Sequence, residues 1–130
     1  MSENYKKLFT LKTALYSQNS PVIISAGALF LNTTKNQLHV QLKFQNIDNK
    51  KIKLLKAKIT LQDSIGRNLE ETHEKQYLDL SAKLNDYFGG NIAIFVKDNT
   101  ARMFNACVEE VCFEDGSIDW EKLVEFNSGT

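Results

Sequence analysis

Between Leu38 and Gln45 every second residue is apolar: Leu38, Val40, Leu42 and Phe44 alternate with His39, Gln41, Lys43 and Gln45. A repeat of two belongs to a pleated strand with one face in a core and the other in water, whereas a helix would scatter these residues around its circumference. The segment is therefore a strand, and the same test applies to the rest of the chain. Val22 to Leu31 is β-branched and then small, as expected of a strand whose centre at Gly27 is closely packed. Ile52, Leu54 or Leu55, Ala57, Ile59 and Leu61 alternate with lysines, and so do Ile92, Ile94 and Val96 with their neighbours. Phe104, Ala106 and Val108 share a face, and after a slip across Glu109-Glu110 the pattern resumes at Val111 and Phe113. That slip predicts a β-bulge, and the doubled Leu54-Leu55 predicts another or an off-register start.

Helical spacing of Leu55, Ile59 and Gln62 competes with the strand there, but Thr60 to Asp63 runs straight into Ser64-Ile65-Gly66-Arg67, which has hairpin-turn chemistry. Further turns are predicted at 32–36, 48–50 and 97–99. Asp115-Gly116 gives the strongest hairpin signal, that of a two-residue type I′ turn leading into Ile118 and Trp120. Asn68 to Leu80 reads as an edge or crossing strand whose Glu70, Glu71 and Glu74 discourage edge pairing. Ser81 to Asp86 is a loop or one helical turn, and Phe88-Gly89-Gly90 calls for an unusual backbone. About seven or eight strands and no convincing amphipathic helix indicate an all-β, two-sheet antiparallel sandwich of immunoglobulin-like or fibronectin-like type. The cysteine and tryptophan pattern of true immunoglobulin domains is absent, so the likeness is architectural. The expected organisation is a lead-in over 1–14, one sandwich domain over 15–126 and a frayed tail over 127–130.

With 130 residues, 42% of them hydrophobic, the chain has enough apolar area for one packed core. Sixteen basic residues balance sixteen acidic ones, so no overall field draws in nucleic acid or an anionic membrane, and no specific nucleic acid is expected as a partner. The balance hides a polarity: Met1 to Lys58 holds ten basic and two acidic residues, Ile59 to Thr130 six and fourteen. Basic strands lying beside acidic ones would explain it, and a head-to-tail association surface is the alternative. No segment has the apolar length of a signal peptide or a membrane span, which points to a soluble, cytoplasmic protein. Cys107 and Cys112 are five apart, which in an unbroken strand places them on opposite faces, so reduced thiols are expected.

Four blocks carry a family resemblance: LYSQNSPVIISAGALF at 15–30, LKFQNI at 42–47, QYLDL at 76–80 and EEVCFEDGSIDW at 109–120. From about Leu15 to Trp120 the chain resembles an uncharacterised family of β-sandwich domains in low-GC Gram-positive bacteria. The resemblance implies a sandwich fold and no assigned activity. Some members join this domain to membrane or zinc-ribbon segments, additions not found in these 130 residues. A sandwich that recurs beside different modules implies a portable interaction unit.

Site chemistry is sparse. His39 and His73 stand apart, and no CxxC or HxxxH spacing gathers metal ligands, so no metal or other cofactor is expected. His39 falls on the polar face of its strand, as a solvated or cross-strand histidine. Neither cysteine has a catalytic signature, and Glu109 and Glu110 point to opposite faces, so no catalytic residue is identified and no enzyme is expected. Gly89-Gly90 lacks the lysine and helix start of a phosphate loop. The lysines at 50, 51, 53, 56 and 58 read as a solvated sheet face. Tyr77, Tyr87, Phe88 and Trp120 are the candidate ligand platform, with Tyr77, Tyr87 and Trp120 as its site residues. The leading expectation is a non-catalytic interaction or adaptor module that meets a protein partner, or itself, through a strand edge or its polarised charge. The alternative is a carbohydrate-binding or small-ligand-binding sandwich.

Overall fold

The computed structural model describes residues 4–17, 19–116 and 118–121, the last four by backbone alone. Among these, nine strands form: β1 (Tyr5–Thr10), β2 (Val22–Asn32), β3 (Gln37–Asn46), β4 (Ile52–Gln62), β5 (Asn68–Tyr77), β6 (Tyr87–Phe88), β7 (Ile94–Val96), β8 (Met103–Phe113) and β9 (Ile118–Glu121). One sheet runs β1-β2-β3, with β6 and β7 both on the far edge of β3, and the other runs β5-β4-β8-β9. Every pairing is antiparallel. The protein is an all-β sandwich. If β6 and β7 are taken as one interrupted strand, the described strands agree with the predicted seven or eight.

The alternating residues do what their period requires. Val40, Leu42 and Phe44 of β3 and Leu55, Ala57, Ile59 and Leu61 of β4 are fully buried, facing one another across the interior. Both bulges form. Lys53 is skipped between the pairs Ile52↔Phe113 and Leu54↔Cys112, and Glu109 is skipped between Lys56↔Glu110 and Ala57↔Val108. Gly27 marks a close approach of the layers, since a Cβ there would lie 2.9 Å from Leu42 Cδ2, 3.0 Å from Leu11 Cδ1 and 3.1 Å from Phe104 Cζ. Gly27→Val is therefore expected to lower stability by about 1–3 kcal/mol through overpacking. Urea unfolding checks this, and an unchanged midpoint would show that the layers part freely at this point.

Three expectations are corrected. Residues 5–10, read as part of a lead-in, form β1, because the edge of β2 offers unpaired backbone and Leu8, Phe9 and Leu11 supply apolar contacts to the core. The pairing continues past β1, with Leu11 N–H on Gly27 O and Leu15 exchanging both backbone bonds with Ile24. At the last hairpin Gly116 has positive φ, 87°, and Asp115 does not. A type I′ turn needs both, so the glycine instead closes a turn in which its N–H bonds Phe113 O at 3.0 Å. Cys107 and Cys112 share the outer face of their sheet, opposite Lys58 and Leu54, because the bulge at Glu109 shifts the phase by one. Both are half-buried and neither is in a disulfide.

Charge polarity is partly resolved within the second sheet. Basic β4 lies between β5 and β8, and Lys56 Nζ reaches Glu74 Oε2 at 3.7 Å. Burial and the nearby Glu74 carboxyl hold the Glu109 pKa above its ordinary value, against the pull of Lys56 and Lys58. The two sheets are also tied by a carboxylate. Glu71 of β5 accepts the backbone N–H groups of Lys97, at 2.9 Å to Oε2, and Asp98, at 2.7 Å to Oε1, just beyond β7. His73 Nε2 lies 2.6 Å from the same carboxylate.

Candidate functional site

Among the described residues the expected aromatic platform does not assemble. Tyr77 is 1% exposed and points into the core, where its ring meets Phe44 edge-on at 4.9 Å. Burial pushes its pKa up to about 12. Phe88 stacks on Phe44 at 5.4 Å. Tyr87 is exposed on the outer face of the first sheet, with Lys43 Nζ 4.8 Å from its ring centre. Trp120 belongs to β9 of the other sheet, paired with Val111, and its side chain lies outside the described residues. Tyr77 thus points inward from the second sheet and Tyr87 outward from the first. The reason is their parity: Tyr77 pairs with buried Leu55, and Tyr87 with outward Gln45.

A different aromatic group forms on the outer face of the first sheet. Register places Phe30 beside His39 and His39 beside Phe95, while Lys7 pairs with Phe30 and Tyr5 with Asn32. His39 is the hub. Its ring stacks on Phe30 at 5.2 Å and meets Tyr5 edge-on at 5.6 Å and Phe95 at 6.2 Å. It is a cross-strand histidine but not a solvated one, since the three rings leave it 8% exposed. Burial holds its pKa below the ordinary value, which favours the neutral imidazole.

Tyr5 and Phe95, 55% and 58% exposed, wall a groove of about 540 Å³ whose lining also includes Phe30, His39, Gln37 and Gln41. Its volume falls in the range of small-ligand and side-chain pockets. The Lys7 ammonium lies 5.7 Å from the Phe30 ring centre. Phe30 is thus flanked by a cation from β1 and an imidazole from β3, so the central ring has little face left for stacking a ligand. A second groove of about 480 Å³ adjoins the first through Lys35 and Gln37 and is lined further by Lys97, Asn99 and Arg102. Among the described residues neither groove is lined by Asp or Glu. Compared with family models, curated proteins and solved structures, the chain matches none.

Among the described residues the lining of the first groove holds no Ser, Thr, Cys, Asp or Glu beside His39. No group of three or more His, Cys, Asp or Glu gathers as a metal ion would require among the described residues. No helix among them is long and apolar enough to cross a membrane.

Sequence reasoning missed Tyr5, Phe30 and Phe95. A signal existed for Phe95, which lies out of phase with Ile94 and Val96 and so had to face outward. Tyr5 and Phe30 carried none, because their meeting with His39 depends on strand register rather than on spacing.

Proposed function

We propose that this domain is a non-catalytic interaction module that takes a protein partner on the outer face of its first sheet. The observation that carries the reading is the groove walled by Tyr5 and Phe95 over a floor of Phe30 and His39. An exposed aromatic slot of this kind suits an anchoring side chain, since aromatic anchors in preformed pockets carry much of the energy of protein recognition. Strand addition is the less suited route. Edge strand β5 carries Glu70, Glu71, Glu74 and Lys75, and β1 is kinked by a register shift between Lys7 and Phe9, both devices that discourage pairing.

A carbohydrate is the second reading, favoured by the amides of Gln37 and Gln41 beside the exposed rings. It is weaker because a sugar needs a free ring face, and Phe30 shares its faces with Lys7 and His39. The cytoplasmic address expected from reduced thiols belongs to the same proposal, as does the portable unit implied by the resemblance to Gram-positive sandwich domains.

The test compares the wild-type chain with a Tyr5→Ser, Phe95→Ser double variant as baits in lysate capture and on a glycan array. Both substitutions are at exposed positions, so folding is expected to be kept. Proteins captured by the wild type and lost from the variant support the module. Glycan binding lost in the same way would move the assignment to the second reading, and equal capture by both baits would remove this face from either.

A further inference from the structure

We infer that the partner's docking segment is acidic, an extended stretch of polypeptide that sets an aromatic or aliphatic side chain in the Tyr5 and Phe95 groove and carries carboxylates into the adjoining one. This deepens the interaction-module reading and rests on it. The two grooves form one path, since Lys35 and Gln37 line both. The path changes character along its length, from aromatic rings at Tyr5, Phe30 and Phe95 to the cations Lys35, Lys97 and Arg102.

Two of the three cations at that end have no direct ion-pair partner among the described residues. Lys97 and Arg102 are exposed, and among the described residues neither has a carboxylate within ion-pair distance. The Arg102 guanidinium is oriented by Nη1 bonds to the carbonyl oxygens of Asn99, at 2.7 Å, and Ala101, at 2.6 Å, which are neutral acceptors. The carboxylates close by accept from other donors rather than from the Lys97 and Arg102 side chains. Asp98 accepts from the Thr100 N–H and hydroxyl, and Glu71 from backbone amides while touching His73. Lys7 adds a cation at the aromatic end. A face with several cations and no acid among its described lining residues selects an anionic partner and disfavours a basic one.

Polypeptide is favoured over nucleic acid or a polyanionic sugar because Lys97 and Arg102 line only the second groove and the aromatic rings only the first. A repeating polyanion would gain from cations along the whole path and from rings with free faces. An apolar anchor followed by carboxylates matches the gradient better.

The full chain is panned against a random displayed peptide library, and selected peptides are measured by fluorescence anisotropy against wild type, Lys97→Glu, Arg102→Gln and Phe95→Ser. Oligouridylate and heparin fragments serve as competing probes. The expected result is a pool enriched in Asp and Glu next to an aromatic or aliphatic residue. Binding should weaken about tenfold in Lys97→Glu and weaken as salt is raised. Circular dichroism confirms that each variant is folded, and Arg102→Gln gives an independent reading of the same charge. A neutral or basic pool, or one that binds Lys97→Glu and Arg102→Gln unchanged, overturns the acidic assignment. If such a pool still fails on Phe95→Ser, the docking face stands; if it ignores that change too, or if the wild type selects nothing, the module reading falls with it. Oligouridylate or heparin binding tighter than the selected peptides overturns the proposal in favour of that polyanion.

Discussion

Phe44→Ala is expected to lower the free energy of unfolding by about 3–5 kcal/mol, at the upper end of single-residue effects. Its side chain is fully buried on β3, stacked on Phe88 and edge-on to Tyr77, which reaches it from the opposite sheet. The backbone also closes on this ring: Gly89 has φ 84°, and a Cβ there would be 2.8 Å from Phe44 Cδ2. Because rings and backbone converge from two sheets, the cavity left by alanine cannot be filled by a small shift of one neighbour, so both the transfer and the cavity contributions are felt. Urea unfolding followed by circular dichroism gives the number. As a contrast, Ile65→Ala on the exposed turn between β4 and β5 is expected to change stability by less than about 0.5 kcal/mol. A loss at Phe44 no larger than that at Ile65 would mean that the sheets do not pack as described.

Glu71→Ala is the second large effect, expected to cost about 1.5–3 kcal/mol at neutral pH, as for the loss of hydrogen bonds to a charged acceptor. The Glu71 side chain is 15% exposed and satisfies two backbone donors from beyond β7. Its removal leaves the N–H groups of Lys97 and Asp98 without that acceptor and loosens the tie between β5 and the other sheet. Burial raises the pKa of this carboxyl, but the Lys97 and Asp98 amides and His73 more than offset that, leaving it below its ordinary 4.5. A folded-state pKa depressed in this way contributes stability above the unfolded value, lost as pH falls through the folded one. The difference between wild type and Glu71→Ala should therefore be full at neutral pH and shrink on acidification below 4.5. Unfolding curves for both proteins across that range decide the matter, and a gap that persists unchanged at strongly acid pH would show that the carboxylate is not the tie.

Much of the scaffold was legible because one rule, apolar residues at every second position, acts locally. Leu38 to Phe44 and Leu55 to Leu61 are buried as their period demands, and the break at Glu109-Glu110 is a bulge for the reason the sequence suggested. The rule failed where an element takes its shape from a partner. Tyr5 to Thr10 has little alternation of its own and becomes a strand because β2 offers an edge. Asn46 falls at a buried position of β3 and is polar, yet its side chain is satisfied by the carbonyls of Lys50 and Ala82 and by the Asp48 N–H, which only the folded turns bring together.

By itself the sequence determined that the chain forms strands, which face of the regularly alternating ones turns inward and where two of them bulge. These are properties of neighbouring residues along one pleat, and side-chain parity and turn chemistry settle them. Only the tertiary structure decided that Tyr77 is core and that Tyr5, Phe30, His39 and Phe95 meet on one outer face. Residues far apart in the chain are brought within contact by strand order and register, and these are set by how two whole sheets bury their apolar faces together.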